Sequence, residues 1–289
     1  MSDAPDLNTG EQLLRADSAT LASALQISVP EARREIQSLL IHALGIEPAV
    51  LLAHPQRIVE ARATIAYSQA FARRLAGEPM AYVLGEREFY SLAFEVTPAV
   101  LIPRPETELL VEMALDMLPE DANASVLDLG TGSGCIAVTL AKLRPAAKIV
   151  AIDLSYAALA VAERNARRHR VTNVELRPGS WFEPVRSERF DLIVSNPPYV
   201  AEHDPHLLER DLRAEPSLAL TAGPDGLEGL RAIIAQARQH LLPDGVALVE
   251  HGHDQADSVA RLLETAGFVR IFSRADLAGI PRAAGGRRP

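Results

Sequence analysis

The sequence has few aromatic residues, a single cysteine and no long apolar run. Aromatic residues make up 4% of the 289 residues, and Cys135 is the one cysteine, so an internal disulfide and a cysteine-rich zinc site are both excluded. No apolar run approaches the roughly 18 residues of a membrane span, and the start, MSDAPDLNTG, lacks the basic and apolar regions of a signal peptide. We therefore expect a cytoplasmic protein that does not enter a membrane.

An excess of positive charge is also missing. The formal net charge is -9, so the chain as a whole lacks the positive field that non-specific nucleic-acid binders need, and we expect no stable nucleic-acid binding. The histidines show no pair at metal-ligand spacing with a third ligand, and we expect no metal. Hydrophobic residues, at 48%, are sufficient for a core, and the length suits one large domain or two ordinary ones.

The first part of the chain carries helical patterns. One predicted helix is capped by Ser28 and ends at Gly45, and a second covers residues 58–75. The sequence then changes character, with apolar residues that predict a short extended pair. We predict a small helical domain over residues 1–85 and an extended, hairpin-like connection over residues 86–104.

From residue 105 onward, short apolar strands alternate with amphipathic helices, a pattern typical of a parallel sheet covered on both faces. Two final strands joined by a turn at residues 276–279 are expected to add an antiparallel edge, and Arg287 and Arg288 are expected to form a loose basic tail. We predict an α/β domain with a mixed seven-stranded sheet over residues 105–286. Its other predicted strands are SVLDLG, KIVAID, VELRPG, DLIVSN and VALVEH.

A glycine-rich loop, DLGTGSG, lies between the first of these strands and a helix, where an open α/β sheet exposes its ligand crevice. Gly134 comes one residue early for the dinucleotide fingerprint, and the loop has no lysine for a P-loop. Asp153 ends the next strand, 23 residues after Gly130, where a carboxylate can accept the ribose hydroxyls of a nucleoside. The loop and the acid predict a nucleoside-containing ligand. The alternative is a tight strand-to-helix turn, with Asp153 only initiating a helix.

The tetrapeptide Asn196-Pro197-Pro198-Tyr199 follows the fourth strand. Two prolines remove two N–H donors, so this loop presents hydrogen-bond acceptors. The Asn196 side-chain oxygen and the Pro197 carbonyl can hold a planar –NH2 group while Tyr199 packs against its plane. The tetrapeptide therefore predicts chemistry at an amino group on an sp2 carbon. The alternative is an ordinary loop, since Asn-Pro commonly starts turns.

These motifs resemble known methyltransferases. The glycine loop with its following acid resembles motif I of class I S-adenosylmethionine-dependent methyltransferases, and the tetrapeptide resembles that of enzymes that methylate adenine N6, cytosine N4 or glutamine N5. Nearly the whole chain resembles the PrmC/HemK family of peptide-chain release factor glutamine methyltransferases. The segments that carry this resemblance are Gly77-Glu78-Pro79, Tyr82, Gly85-Glu86-Arg87-Glu88-Phe89, Ile102-Pro103-Arg104-Pro105-Glu106-Thr107-Glu108 and Asp276-Leu277-Ala278-Gly279.

The resemblance implies a Rossmann-like class I methyltransferase fold, S-adenosylmethionine as cofactor, and methyl transfer to the glutamine of the Gly-Gly-Gln loop of class 1 release factors. The helical domain is then expected to recognise the release factor, and Asn196, Pro197 and Tyr199 to be catalytic, with Pro198 completing the substrate clamp. Ser180 departs from the family, which often has an acid there. The cofactor-binding residues that it implies are Gly130, Thr131, Gly132, Ser133, Gly134, Asp153, Trp181 and Asn196.

Two other functions stay open at this point. A nucleic-acid N6-adenine methyltransferase can use the same tetrapeptide, but it predicts a basic groove and a base-reading domain. A non-catalytic nucleoside-binding regulator would keep the fold and transfer nothing. We expect a monomeric enzyme whose protein partner is a class 1 release factor.

Overall fold

The computed structural model describes residues 9–121, 123–209 and 211–289. Its chain divides into two compact units, Met1–Gly85 and Glu86–Pro289. Within the described ranges, every helix is too short or too polar to cross a bilayer.

The first unit is helical. Ser28 caps the second helix by accepting a hydrogen bond from the Glu31 N–H, and Gly45 ends that helix in the left-handed conformation, both as predicted. The predicted helix over residues 58–75 starts later, because Ile58 pairs with Thr9 in a β-bridge. The helices of this unit are α1 (Gly10–Leu25), α2 (Val29–Leu44), α3 (Pro48–Ala53), α4 (Ala61–Leu75) and α5 (Met80–Leu84).

The helices of the first unit share one apolar core around Leu21, Ile36 and Tyr67. At the margin of this core the Tyr67 hydroxyl donates to Asp17 Oδ2 at 2.6 Å, which joins α4 to α1 across the unit. The unit therefore has the buried contacts that an independent domain requires.

The second unit begins with a hairpin and continues as an α/β sheet. The hairpin strands are β1 (Glu86–Phe89) and β2 (Leu92–Glu95). The sheet strands are β3 (Ser125–Leu129), β4 (Lys148–Asp153), β5 (Val174–Pro178), β6 (Phe190–Ser195), β7 (Leu241–Glu250), β8 (Val269–Ala275) and β9 (Pro281–Arg287). The helices are α6 (Glu108–Met117), α7 (Cys135–Leu143), α8 (Tyr156–Arg168), α9 (Glu228–Ala237) and α10 (Ala256–Thr265).

The sheet is mixed, with the strand order β5-β4-β3-β6-β7-β9-β8. The chain runs outward from β3 through β4 to β5 and then returns to β6 on the other side of β3. Open α/β sheets bind ligands at such a switch point, beyond the carboxyl ends of the strands. Register brings Leu129 opposite Ser195, so β3 and β6 end together. The topology therefore places a ligand crevice beyond these two residues.

Each face of the sheet is covered by its own apolar core. Along β4, Ile149 and Ala151 join the core that contains α6 and α7, whereas Val150 and Ile152 join the core that contains α9 and α10. This alternation is what a strand buried on both faces requires, since successive side chains point to opposite sides. The predicted parallel sheet covered on both faces is confirmed.

The predicted antiparallel pair is present as β8 and β9, but the predicted loose tail is wrong. β9 is inserted between β7 and β8 and pairs antiparallel with both strands. Arg287 is the last residue of β9 and donates from Nη1 to the Asp244 carbonyl at 2.9 Å, and the Arg288 N–H donates to the Gly245 carbonyl at 2.8 Å. The end of the chain is ordered because β7 would otherwise have unpaired backbone groups.

We expect Gly285→Ala to destabilise the protein. A Cβ at this position of β9 would lie 2.6 Å from Leu248 Cδ2 and 2.7 Å from the Ala247 carbonyl oxygen. Overpacking of this kind costs about 1–3 kcal/mol of the free energy of unfolding, measurable by urea denaturation. Leu277→Ala, at an exposed turn, is the control and should change that free energy by less than about 0.5 kcal/mol. Equal stability of the two variants would contradict the packing argument.

Candidate active site

A cavity of about 430 Å³ opens beyond the carboxyl ends of β3 and β6. It brings together most of the residues that the sequence singled out. Of the predicted site residues, all of which the structure describes, Gly134, Pro197 and Tyr199 lie outside the lining. Those that line the cavity are Gly130, Thr131, Gly132, Ser133, Asp153, Trp181, Asn196 and Pro198.

The glycine loop is held against β4 and α8. The Gly130 and Thr131 N–H groups both donate to the Ile152 carbonyl, at 2.9 and 3.0 Å. Gly134 has a φ of +80°, and a Cβ there would lie 3.1 Å from the Ala162 Cβ. The close approach of α8 therefore requires a glycine at this position. Gly134 lies on the side of the loop that packs against α8, which explains why it does not line the cavity.

Asp153 organises the loop as well as lining the cavity. Its Oδ2 accepts the Gly132 N–H at 2.8 Å, and its Oδ1 accepts the Ser155 N–H at 2.8 Å. Burial raises the pKa of this carboxyl, and the backbone hydrogen bonds act in the opposite direction. Each carboxylate oxygen has a further lone pair, so Asp153 can accept ligand hydroxyls while keeping both contacts. The helix-starting role and the ligand role are therefore compatible.

Asp128, the acid that opens the glycine loop, is fully buried under it. Its Oδ2 accepts the Thr131 hydroxyl at 2.6 Å, whereas Oδ1 makes no direct hydrogen bond within the described part of the chain. Burial raises the pKa of this carboxyl to about 7. The acid thus fixes the Thr131 side chain from below the cavity floor.

Trp181 forms one wall of the cavity. It adopts a left-handed backbone conformation with a φ of +46°. Its ring reaches from the glycine loop to the start of α9, 3.7 Å from where a Gly130 Cβ would lie and 3.8 Å from where a Gly229 Cβ would lie. Small residues on both sides leave room for the indole. The ring is therefore in position to stack on a planar group in the cavity.

The loop after β6 is fixed in place by residues distant in the sequence. Gln255 Nε2 donates to the Tyr199 carbonyl at 3.0 Å. Gly226 approaches the same carbonyl so closely that any Cβ would overlap its oxygen, and a Gly229 Cβ would lie 3.3 Å from the Pro198 carbonyl oxygen. These contacts settle the path of the tetrapeptide. Nothing in the local sequence pattern indicated them.

The Asn196 amide has a defined orientation. Its Nδ2 donates to Thr107 Oγ1 at 2.9 Å. Its Oδ1 and the Pro197 carbonyl oxygen make no hydrogen bond with any other described residue, so both are free acceptors. Asn196 lines the cavity, so an amide group from a ligand can donate to its Oδ1, whereas Pro197 lies outside the lining.

Tyr199 is anchored by a buried acid. Its hydroxyl donates to Glu250 Oε1 at 3.1 Å, and Glu250 is 1% exposed. Burial raises the pKa of Glu250 to about 7, while the hydrogen bond from Tyr199 acts in the opposite direction. Burial and the nearby Glu250 charge raise the pKa of Tyr199, so it stays a neutral donor. The tetrapeptide is thus held at both ends, by Thr107 at Asn196 and by Glu250 at Tyr199.

Thr107 and Glu250 are functional candidates that the sequence analysis did not identify. Thr107 was named only as part of a segment that carries the family resemblance, with no role of its own. Glu250 ends β7, and the rule that ligands bind beyond the carboxyl ends of strands was a signal that could have found it. No cluster of histidine, cysteine, aspartate or glutamate that could hold a metal occurs within residues 9–121, 123–209 and 211–289.

Comparison with known proteins agrees with both units. Residues 12–85 match the PrmC N-terminal domain and residues 106–218 match the methyltransferase small domain. The chain is 48% identical over 277 residues to the release factor glutamine methyltransferase of Burkholderia pseudomallei, an alignment that covers 94% of this chain and 97% of that protein. The chain belongs to the release factor glutamine methyltransferase family. The resemblance noted in the sequence is confirmed.

A second relative and a solved structure are also similar to this chain. It is 52% identical over 255 residues to the release factor glutamine methyltransferase of Bordetella pertussis, over 88% of this chain and 94% of that one. A methyltransferase structure from Pyrococcus furiosus is 18% identical and superposes with a TM-score of 0.53 over 76% of this chain and 98% of that chain. The structural likeness speaks for the fold alone. The predicted class I methyltransferase fold is confirmed.

Glu250→Gln should change how the stability of this methyltransferase depends on pH. Because the pKa of Glu250 is raised from 4.5 to about 7, the native state binds its proton more tightly than the unfolded chain does. The stabilisation is complete below the unfolded-state pKa and is lost as the pH rises through the folded one. Relative to the variant, the wild type should lose on the order of 2 kcal/mol of unfolding free energy between about pH 5 and 8.

Urea denaturation at several pH values measures this difference. Asp128 is present in both proteins, so its own raised pKa cancels when the two curves are compared. Glu112→Gln, at an exposed position of α6, is the control and should run parallel to the wild type. If the unfolding free energy of Glu250→Gln depends on pH in the same way as that of the wild type, the burial argument is contradicted.

Proposed function

We propose that this enzyme transfers a methyl group from S-adenosylmethionine to the side-chain amide nitrogen of the glutamine in the Gly-Gly-Gln loop of class 1 peptide-chain release factors. The observation that carries the proposal is the Asn196 amide at the cavity wall, with Nδ2 bound to Thr107 and Oδ1 left as an acceptor. Family membership, with relatives named for glutamine methylation of release factors, supports this substrate.

The cavity suits a nucleoside with an amino-acid tail. Asp153 offers carboxylate oxygens to ribose hydroxyls, and Trp181 offers an aromatic face to a base. Gly130 to Gly134 let the backbone approach the ligand closely, while Asn196 lies where the cofactor and substrate meet. When bound, S-adenosylmethionine supplies an electrophilic methyl group on a sulfonium sulfur. Recognition of the adenine amino group falls to backbone groups or to Ser180, which also lines the cavity.

The tetrapeptide positions the substrate amide. A carboxamide nitrogen is a weak nucleophile because its lone pair is delocalised into the carbonyl. Asn196 Oδ1 and the Pro197 carbonyl accept its two hydrogens, which directs the lone pair toward the methyl donor. Positioning of this kind contributes up to about 7–11 kcal/mol in the best intramolecular systems. Pro198 stiffens the clamp, and Tyr199, which lies outside the cavity lining, holds the loop through its hydrogen bond to Glu250.

The helical unit has a separate part in the proposal. The first unit, with its own core around α1, α2 and α4, binds the release factor. The Gly-Gly-Gln loop of the bound release factor is then available to the second unit. The match of residues 12–85 to a domain typical of this family supports the assignment. The net charge of -9 favours a protein partner over a nucleic acid, because phosphate contacts need a basic surface.

Methyl-labelled cofactor tests the proposal directly. The enzyme should label a class 1 release factor, and the label should disappear when the loop glutamine is replaced by asparagine. Label on RNA in a parallel reaction would favour the adenine methyltransferase instead, and no label on either would favour a nucleoside-binding regulator. The two substrates are compared in the same buffer, because nucleic-acid binding depends on salt.

Asn196→Ala should separate binding from transfer. The variant loses an acceptor for the substrate amide, so transfer to the release factor should slow by about 100-fold or more, the scale seen when one positioning group is removed. Calorimetry should show the cofactor dissociation constant changed by less than about threefold. Equal single-turnover rates of the variant and the wild type would exclude the clamp.

Asp153→Ala should weaken cofactor binding. Its carboxylate both faces the cavity and holds the Gly132 N–H, and leaving such groups unpaired costs about 1–3 kcal/mol. Calorimetry should therefore give a dissociation constant raised by roughly 5- to 150-fold. Glu163→Ala, at an exposed position of α8, is the matched control and should bind as the wild type does. An unchanged dissociation constant in Asp153→Ala would contradict the ribose role.

A further inference from the structure

Arg104 places a positive charge in the wall of the cavity. It is the one cationic side chain among the lining residues, all of which the structure describes, and it is 31% exposed. The acidic side chains in the same lining are Asp153 and Glu228. Charges in a partly buried site are screened less than charges in bulk water, so Arg104 acts on a charged group that is bound in the cavity.

Glu215 supplies the opposite charge from behind the wall. Its side chain is fully buried and does not line the cavity. Oε1 accepts from Arg104 Nη2, and Oε2 accepts the Ile102 N–H at 3.0 Å. Burial raises the pKa of this carboxyl, while the Arg104 charge and the Ile102 N–H act in the opposite direction. Because solvent does not reach the carboxylate, small ions cannot take its place beside Arg104.

S-adenosylmethionine and its demethylated product, S-adenosylhomocysteine, differ by one unit of charge. The methyl donor has a sulfonium and an ammonium group against one carboxylate, so it carries a net positive charge, whereas the product is neutral. An unpaired guanidinium in the wall would therefore weaken binding of the donor and leave binding of the product almost unchanged. The site would then hold its product in preference to the donor.

We propose that Glu215 is a specificity-determining residue for the methyl donor: by pairing with Arg104 from behind the wall, it cancels a charge that would otherwise favour S-adenosylhomocysteine over S-adenosylmethionine. The inference rests on the proposed function, and in particular on its cofactor. Glu215 acts through Arg104 and touches no reacting atom. The alternative is a structural role alone, in which the carboxylate only ties residues 102–104 to the loop that follows β6.

Glu215→Gln removes the charge and keeps the size of the side chain. Its amide oxygen still accepts one of the two hydrogen bonds. Calorimetry at about pH 8, above the ordinary range of a carboxyl pKa, gives the dissociation constants of S-adenosylmethionine and S-adenosylhomocysteine. We expect the ratio of the first constant to the second to rise roughly 3- to 20-fold. A structural role alone would raise both constants by the same factor, and that result would overturn the proposal.

Two further variants test whether charge is the cause. Arg104→Gln/Glu215→Gln removes both charges, and its two amides can hydrogen-bond to each other, so the ratio should return to within about twofold of the wild type. Glu163→Gln makes the same change in net charge at an exposed position of α8, and as the control it should leave both constants unchanged. A ratio that stays raised in the double variant would count against the proposal.

A second comparison keeps the test decisive if Glu215→Gln alone does not fold. Arg104→Gln/Glu215→Gln and Arg104→Lys/Glu215→Gln both lack the carboxylate and both offer an amide oxygen to the Ile102 N–H. They differ in one charge in the wall, so the ratio should be several-fold higher in the variant with lysine. Equal ratios in the two double variants would overturn the proposal. Urea denaturation shows which variants are folded under assay conditions.

The wild type separates this inference from the proposed function. If the wild type binds neither ligand and does not label the release factor, the proposed function fails, and the role of Glu215 fails with it. If the wild type binds both ligands and labels the release factor, while Glu215→Gln leaves the ratio of the two constants unchanged, only the role of Glu215 is overturned.

Discussion

The parallel pairing of β3 with β6 is the constraint on which the whole site depends. It aligns the ends of two strands whose final residues, Leu129 and Ser195, are 66 positions apart in the chain, and the Ser195 hydroxyl donates to the Leu129 carbonyl at 2.7 Å. The glycine loop and Asn196 begin immediately after this contact. A shift of the register would separate the glycine loop from the tetrapeptide, because the position of each is set by the strand that precedes it.

Three carboxyl side chains are buried near this edge of the sheet, although they add nothing to the apolar cores. Asp128 lies under the glycine loop, Glu250 lies behind the tetrapeptide, and Glu215 accepts the Ile102 N–H at 3.0 Å and pairs with Arg104 at the cavity margin. Burying a carboxyl costs free energy unless its hydrogen bonds are made. Here each acid orients a segment that borders the cavity. The buried carboxyls lower the stability of the folded protein, but they fix the directions of the hydrogen-bond donors and acceptors around the cavity. Fixed directions suit a reaction that depends on positioning.

Much of the fold could be predicted because its signals are local. The strand ends, the helix cap at Ser28 and the left-handed Gly45 follow from patterns within a few residues. The chain end could not be predicted in this way. The second strand of the final pair was predicted, but Arg287 and Arg288 resemble a loose basic tail, and they are fixed only by hydrogen bonds to Asp244 and Gly245, each 43 positions earlier in the chain.

The sequence by itself determined the order of strands and helices, the glycine loop with its following acid, and the acceptor tetrapeptide, because each is a short pattern of residue types in one stretch of chain. Only the tertiary structure decided how these parts are turned toward one another. Thr107 meets Asn196 across 89 residues, and Glu250 meets Tyr199 across 51. A hydrogen bond between distant residues has no periodicity and no local spacing, so its direction becomes visible only after the chain has folded.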